Sequence, residues 1–403
     1  MRFPLAAVSL ALLVPAASSA ADWPMQRADA ARSGYVSDVL PQDLKLLWKR
    51  TSAHPPHRAW PRSKRQLFDA CYEPVICAGR LFYGSSVDCS LRCLDAATGV
   101  ERWSFFTGGP IRLAPVAWGE RVAVASDDGR LYVLDAQTGD LVWQHRGGPQ
   151  SLWRLGNQRM ISKWPARGGP VLLDGVLYYA VGIWPSDGIY IYALNAQTGD
   201  ELWSNKDSGG IYMPQPHGGA NAASGLAAQG HLAARGKRVF VPTGRAIPAA
   251  LDRDDGKLAY FFLQKNRGAG GTSVVLAGRY MINSGILFDA ASGEARAKLN
   301  AHLVAAFPEG LVTADTKGVH ALRMAEVEKP DRKGKPVKAL SLQPRWSVPD
   351  LAGAVNLIAA GEAVIVGGSQ RVTILDGTPG KEKRDRRRWS TEVEGSPYGL
   401  AVA

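Results

Sequence analysis

Three stretches of the chain repeat one another. Residues 94–103 read Leu-Asp-Ala-Ala-Thr-Gly-Val-Glu-Arg-Trp, residues 134–143 read Leu-Asp-Ala-Gln-Thr-Gly-Asp-Leu-Val-Trp, and residues 194–203 read Leu-Asn-Ala-Gln-Thr-Gly-Asp-Glu-Leu-Trp. Asp or Asn, then Gly, then Trp recur at one spacing, as Asp95, Gly99 and Trp103, as Asp135, Gly139 and Trp143, and as Asn195, Gly199 and Trp203. Such a repeat constrains the architecture before any single residue is read, because each unit must bury its apolar face against the next.

The unit is a hairpin. Residues 131–134 (Leu-Tyr-Val-Leu) are β-rich and predict a strand. Asp135 accepts hydrogen bonds from the turn backbone, Thr138 does so more weakly, and Gly139 supplies a positive φ at no steric cost. The return strand ends on Trp143. A lone hairpin cannot bury that ring; wedged between neighbouring sheets it loses about 150–250 Å² of exposed surface. Weaker copies follow at residues 252–256, 289–293 and 376–378, the last reaching Trp389. Another starts at Val319, runs through a charged insertion and closes at Trp346. Two more short strands precede each hairpin, best seen at residues 114–118 and 121–125. The module therefore has four strands, A to D, with 143 − 103 = 40 residues from Trp103 to Trp143. Four-stranded modules of about 40–50 residues arranged radially make a β-propeller.

Seven hairpins can be counted. Residues 44–48 look like an eighth D strand, ending on Trp48, and residues 396–403 look like an eighth A strand. The sequence thus predicts an all-β, eight-bladed propeller of four-stranded antiparallel blades. Its last blade is shared by the termini, which closes the ring and removes two exposed sheet edges. Strands B and C of that blade have no counterpart, so the chain is a piece of a longer one or the ring stays incomplete; seven blades is the alternative. Residues 21–403 form one propeller domain.

The Asp-Ala-x-Thr-Gly-x-x-x-Trp repeat resembles that of the PQQ-like, quinoprotein alcohol dehydrogenase-like propellers, a group that includes PQQ-dependent dehydrogenases and BamB-type assembly proteins. Residues 22–27 (Asp-Trp-Pro-Met-Gln-Arg) resemble the opening of secreted members. The resemblance covers nearly the whole chain after residue 20. It speaks to fold more than to chemistry. The quinoprotein enzymes imply a vicinal Cys-Cys pair, a calcium ion and an Asp base. Here no two cysteines are adjacent, and the B–C turns hold few carboxylates beyond Asp88, Asp127, Asp128 and Asp187. Asp127-Asp128-Gly129 reads as a turn rather than a calcium ligand pair, since calcium takes six or more oxygens from converging segments.

Residues 1–20 read as a secretory signal peptide, with Arg2, an apolar run from Leu5 to Val14 and small residues before Ala21. The expected location is periplasmic or extracellular. No Cys stands at the cleavage point, so a lipoprotein is not expected, unlike the BamB type. The four cysteines, Cys71, Cys77, Cys89 and Cys93, fall within one blade. Disulfides, buried free thiols and, last, a metal site remain open, because connectivity cannot be read from spacing. Much of the net charge of +12 lies in residues 329–338 and 381–388, both on C–D turns. They read as solvated hairpin tips, or as a patch for an anionic envelope surface. Nucleic acid does not suit an exported chain.

Long D-to-A connections at residues 147–169 and 204–223 exceed what a blade needs, and loops of that size in a compact fold are often functional. With the B–C turns they bring Arg112, Trp164, Arg167, Trp184, Asp187, His217 and Arg245 to one axial face. Arg and Trp together suit a flat anionic or aromatic ligand. The competing reading has the indoles plugging the channel and the guanidinium groups capping carbonyls. No catalytic residue is identified, since His217 lacks a Ser or Cys partner. The expectation is a non-catalytic exported scaffold that binds a protein or an anionic small molecule, with no cofactor. The alternative is a PQQ- and calcium-dependent oxidoreductase.

Overall fold

The Asp-Thr-Gly turns form as their chemistry requires. Asp135 Oδ1 accepts from the backbone N–H of Gln137 at 2.9 Å and of Thr138 at 3.0 Å. Gly139 sits at φ +80° and its N–H donates to the Asp135 carbonyl at 2.9 Å. The same pattern recurs at Asp95, Asn195 and Asp289. The structure, a computed structural model, describes residues 22–61, 66, 68–156, 158–215, 219–263, 270–308, 310–330, 334–378 and 386–403.

Among these residues the chain builds seven antiparallel four-stranded units: 75–106, 116–146, 168–205, 233–260, 275–298, 303–348 and 356–392. They are blades 1 to 7, each running A to D. The only helices among the described residues are single 3-10 turns at Pro185–Asp187 and Pro349–Leu351. The ring thus has seven blades rather than eight. Residues 44–48 and 396–403 do not join a sheet, because neither finds a strand to pair with. Together with Trp23 and Leu40 they pack between blade 7 and blade 1, where Leu44, Leu400, Ala401 and Val402 lie against Ile358, Ile365 and Trp389.

The indoles join the blades. Each lies over the turn glycine of the next blade, Trp103 over Gly139, Trp143 over Gly199 and Trp203 over Gly256. Indole N–H groups donate to the turn carbonyls, from Trp103 to Ala136 at 3.2 Å and from Trp203 to Arg253 at 2.7 Å. Blade 4 substitutes Tyr260, whose hydroxyl donates to the Ala290 carbonyl at 3.1 Å over Gly293. Trp346 donates to Gly377 at 3.3 Å.

Residues 23–36 form an inner collar. Their carbonyls accept from the innermost strands: Trp23 from Ile76, Pro24 from Ala117, Ala30 from Ala234, Ala31 from Leu276, Ser33 from Ala306 and Gly34 from Ala359, all within 2.7–2.8 Å. Blade 3 is reached by the buried Arg32, whose guanidinium donates to the carbonyls of Pro170 at 2.7 Å and of Leu232 at 2.8 Å. The collar therefore touches every blade and covers inner edges that would otherwise lack partners.

Blade 6 differs from the expected charged loop. Its outer strands run unbroken through Gly318–Pro330 and Pro336–Val348. Met324, Leu340 and Leu342 pack on the core of blade 5, and residues 331–333 of the first basic run lie outside the described residues. In the second basic run residues 381–385 lie outside the described residues; Arg386 lies 4.8 Å from the Trp346 ring centroid. All four thiols are free. Burial pushes the Cys93 thiol up to about 11 and the Cys77 thiol up to about 12.

Candidate axial binding face

The long D-to-A connections carry their own structure. The first contains a hairpin of Trp153–Gly156 and Arg159–Ser162, the second a hairpin of Tyr212–Pro214 and Asn221–Ala223. Trp153, Leu155, Met160 and Tyr212 are exposed on them. Polar contacts hold the first hairpin in place. Arg154 pairs with Asp187 at 2.5 Å, Lys163 with Asp187 at 3.3 Å, and the indole N–H of the buried Trp164 donates to the Asp187 carbonyl at 2.6 Å. The Arg154 guanidinium holds the Asp187 carboxyl below the usual carboxylate range.

Beside the axis lies a buried charge network. Arg112 Nε donates to Asp127 Oδ2 at 2.5 Å and its Nη1 to Asp69 Oδ2 at 3.0 Å. Arg167 Nη2 donates to Asp127 Oδ2 at 3.1 Å, and its Nε stands 3.0 Å from Asp127 Oδ1. Asp69 Oδ2 also accepts from the Ala59 N–H at 2.6 Å, which fixes the segment crossing above. Burial opposes both guanidinium charges. For Arg112 the two carboxylates outweigh it and its pKa is raised; for Arg167 burial prevails and its pKa is lowered.

Two cavities open on this face. One of about 430 Å³ is lined by Trp60, Trp184, Gln229, Thr243, Arg245 and Phe261, among others. Trp60 and Trp184 meet edge to face, centroids 6.4 Å apart, and the Trp60 indole donates to Gln229 at 3.2 Å. Trp184 is 51% exposed, and Arg245 is exposed with no ion pair or hydrogen bond to its side chain among the described residues. The other, of about 510 Å³, is floored by the collar and lined by Gln26, Arg27, Cys71, Glu73, His231 and His302, among others.

Burial, opposed by Arg32 and Arg27, pushes the Glu73 carboxyl up to about 7. Its Oε2 stands 3.4 Å from His231 Nε2. That nitrogen accepts the Ala114 N–H at 2.8 Å, and burial lowers the imidazole pKa well below its ordinary value, so the ring is neutral. A carboxyl that is harder to ionise when folded contributes stability below its unfolded value of 4.5, and that stability is lost as pH rises through about 7. Glu73→Gln should therefore match the parent at pH 4 and gain on it at pH 8, by roughly 3 kcal/mol at most. Denaturant melts at both pH values check this; a constant difference would sink the assignment.

The sequence-predicted residues thus fall into three groups. Arg112 and Arg167 meet on Asp127; Trp164 and Asp187 clamp the first hairpin; Trp184 and Arg245 share the aromatic cavity. His217 lies outside the described residues. Sequence reasoning missed Glu73, His231, Trp60 and the collar arginines, and took Asp127 for a turn residue. Asp127 does open a turn with Gly129 at φ +84°, but its side chain faces the buried network. No local signal distinguishes these two roles.

The residues near the axis do not fit a calcium ion. Asp69 and Asp127 are both bound to guanidinium groups, and among the described residues no three His, Cys, Asp or Glu side chains converge as metal ligands would. None of the four cysteines is adjacent to another.

The family model described as outer membrane protein assembly factor BamB matches residues 32–163 and 150–403. The dehydrogenase subunit of the quinone alcohol dehydrogenase of Gluconobacter oxydans is 31% identical over 142 residues, 32% of this chain and 18% of that protein. The serine/threonine-protein kinase AfsK of Streptomyces griseus is 32% identical over 176 residues, 43% of this chain and 19% of that protein. The chain thus matches less than a fifth of the length of either curated relative. Among solved structures, the quinohemoprotein alcohol dehydrogenase of Comamonas testosteroni superposes with a TM-score of 0.54 at 15% identity, over 93% of this chain and 73% of that one. This likeness concerns the propeller fold alone.

Proposed function

This chain belongs to the PQQ-type β-propeller family whose model carries the BamB description, and from that premise we propose that it is a non-catalytic, exported propeller of the cell envelope. It binds a protein partner or an anionic small molecule on its axial face. One observation carries the reading. In the aromatic cavity the described groups that face a ligand are the Arg245 guanidinium and the rings of Trp184 and Trp60, while Asp69 and Asp127 nearby are taken up by Arg112 and Arg167. A cation beside aromatic faces recognises; it supplies no base and no nucleophile. The exposed rings of Trp153 and Tyr212 extend this recognition surface toward a protein partner. Residues 1–20 supply the export part of the reading.

The second reading, a PQQ-dependent oxidoreductase, is favoured by the match to the quinone alcohol dehydrogenase subunit. Titration with PQQ and calcium, followed by absorbance and thermal melting, separates the two. The expected result is no cofactor-dependent dye reduction with alcohols or sugars. Tight PQQ binding with such reduction would replace the scaffold by the enzyme. On the scaffold reading, Trp184→Ala with Arg245→Ala should abolish capture of the partner that the parent binds from the envelope fraction, without changing the melting temperature. Unchanged capture would remove the axial face from the proposal.

A further inference from the structure

The side of the ring opposite the axial face carries the A–B and C–D turns, and there the joint of blades 4 and 5 differs from its neighbour. Between blades 3 and 4 the space beside the turns is filled by Arg253. Its guanidinium donates to the Tyr178 hydroxyl at 3.0 Å, the Gly236 carbonyl at 2.6 Å and the Asp174 carboxylate at 2.9 Å, and lies 5.8 Å from the Tyr178 ring centroid. Ala290 holds the same place between blades 4 and 5. Its N–H donates to the Arg279 carbonyl at 3.0 Å, as that of Arg253 does to Lys237 at 3.0 Å. Its carbonyl accepts from Tyr260 as that of Arg253 accepts from Trp203. The surrounding residues change with it. By strand register Phe240 stands in the place of Tyr178, Arg235 in that of Leu173 and Gly236 in that of Asp174.

A cleft of about 390 Å³ results, lined by Arg235, Lys237, Phe240, Leu276, Tyr280 and Ala290, among others. A Cβ on Gly236 or Gly278, at its mouth, would meet nothing within 4 Å. Between blades 2 and 3, where Ala196 holds the place, Trp118 stands at the position of Arg235 and packs on the core. We propose that the cleft between blades 4 and 5 binds a small organic anion, one acidic group carried on a flat apolar body. Charge and size fix this occupant. Arg235 and Lys237 are exposed and make no ion pair or hydrogen bond through their side chains among the described residues. Arg238 and Arg279 are taken up by Asp252 at 2.6 Å and Asp289 at 2.9 Å. The carboxylate that balances Arg253 has no counterpart here, since Gly236 replaces Asp174. A second cation is therefore repelled and an anion attracted. Phe240, Leu276 and Tyr280 meet the apolar body from below, and the alkyl stems of Arg235 and Lys237 cover it from the sides while their charged heads stay at the rim. The volume lies in the range of small-molecule sites. This site is independent of the axial-face reading, since it uses none of Trp184, Arg245 or Trp60.

The probe is anilinonaphthalene sulfonate, titrated by fluorescence into the full chain beside N-phenylnaphthylamine, which has the same rings and no charge. Ala290→Arg with Gly236→Asp rebuilds the contacts of Arg253 and Asp174 in the cleft; Gly236 at φ +53° already has the backbone of Asp174 at φ +51°. This filled variant should remain folded and lose the saturable sulfonate binding of the parent. Arg235→Ala with Lys237→Ala should weaken the sulfonate by about tenfold and leave the neutral probe within about twofold. Undiminished sulfonate binding in the filled variant overturns the proposal. Equal weakening of both probes by loss of the two cations overturns it as well, because the cleft would then not select an anion. Sulfonate binding that vanishes in Trp184→Ala with Arg245→Ala places the probe on the axial face and has the same force. Should the filled variant fail to fold, the comparison of the two probes on the Arg235 and Lys237 variant, which alters only exposed side chains, decides alone.

Discussion

Gly139→Ala should destabilise the propeller by about 3–5 kcal/mol, which is out of proportion to one methyl group on a surface turn. Two costs coincide at this residue. Its φ of +80° is a conformation that L side chains avoid at about 1–2 kcal/mol. The added Cβ would also stand 2.7 Å from Trp103 Cδ2 and 2.8 Å from its Cε3. The indole must then leave its seat, lose its hydrogen bond to Ala136 and open the joint between blades 1 and 2. Gly119→Ala is the control. It too has a positive φ, +51°, yet nothing lies within 4 Å of its added Cβ. It should cost only the conformational part, about 1 kcal/mol. Urea denaturation of both variants tests the argument; equal losses would mean that the indole stacking contributes nothing to the ring.

That contrast also explains what was legible in the sequence. The turn-and-indole unit is local: Asp135, Gly139 and Trp143 lie within nine residues, so their spacing carries the whole instruction for one blade. The collar has no such periodicity. Residues 23–36 contribute carbonyls to strands scattered from Ile76 to Ala359, and any sequence can offer carbonyls, so only the opening Trp-Pro-Met-Gln-Arg hinted at a role. Of the two blade counts the sequence allowed, the seven-bladed alternative holds, for a related reason. Residues 44–48 and 396–403 read as strands but only pack between blades 7 and 1, because a strand exists only when something pairs with it, and pairing is not a property of the segment itself. Of the axial residues, Trp184 and Arg245 were readable because they stand on turns of the repeat. Glu73 was not; it precedes the first blade, and the Arg32 and Arg27 that face it are fixed only by ring closure.

Asp127→Ala should cost about 3–5 kcal/mol, and it shows what the axial network does. Asp127 is 1% exposed and is the carboxylate shared by Arg112 and Arg167. Removing it leaves two buried guanidinium groups with Asp69 as their remaining acidic partner, and Asp69 reaches only Arg112. Breaking one side of a buried ion pair is costly because the surviving charge stays desolvated. The penalty should therefore fall mainly on Arg167, whose pKa burial already lowers. Converting Asp127→Leu together with Arg112→Met and Arg167→Met removes the charges along with their need for one another. This triple variant should recover most of the loss, since apolar groups of similar size often replace a buried ion cluster without net cost. If Asp127→Ala stays within about 1 kcal/mol of the parent by chemical denaturation, solvent reaches these arginines and the network is not the buried keystone of this face. If the triple variant is as unstable as the single one, the loss comes from packing around Asp127 and not from its charge.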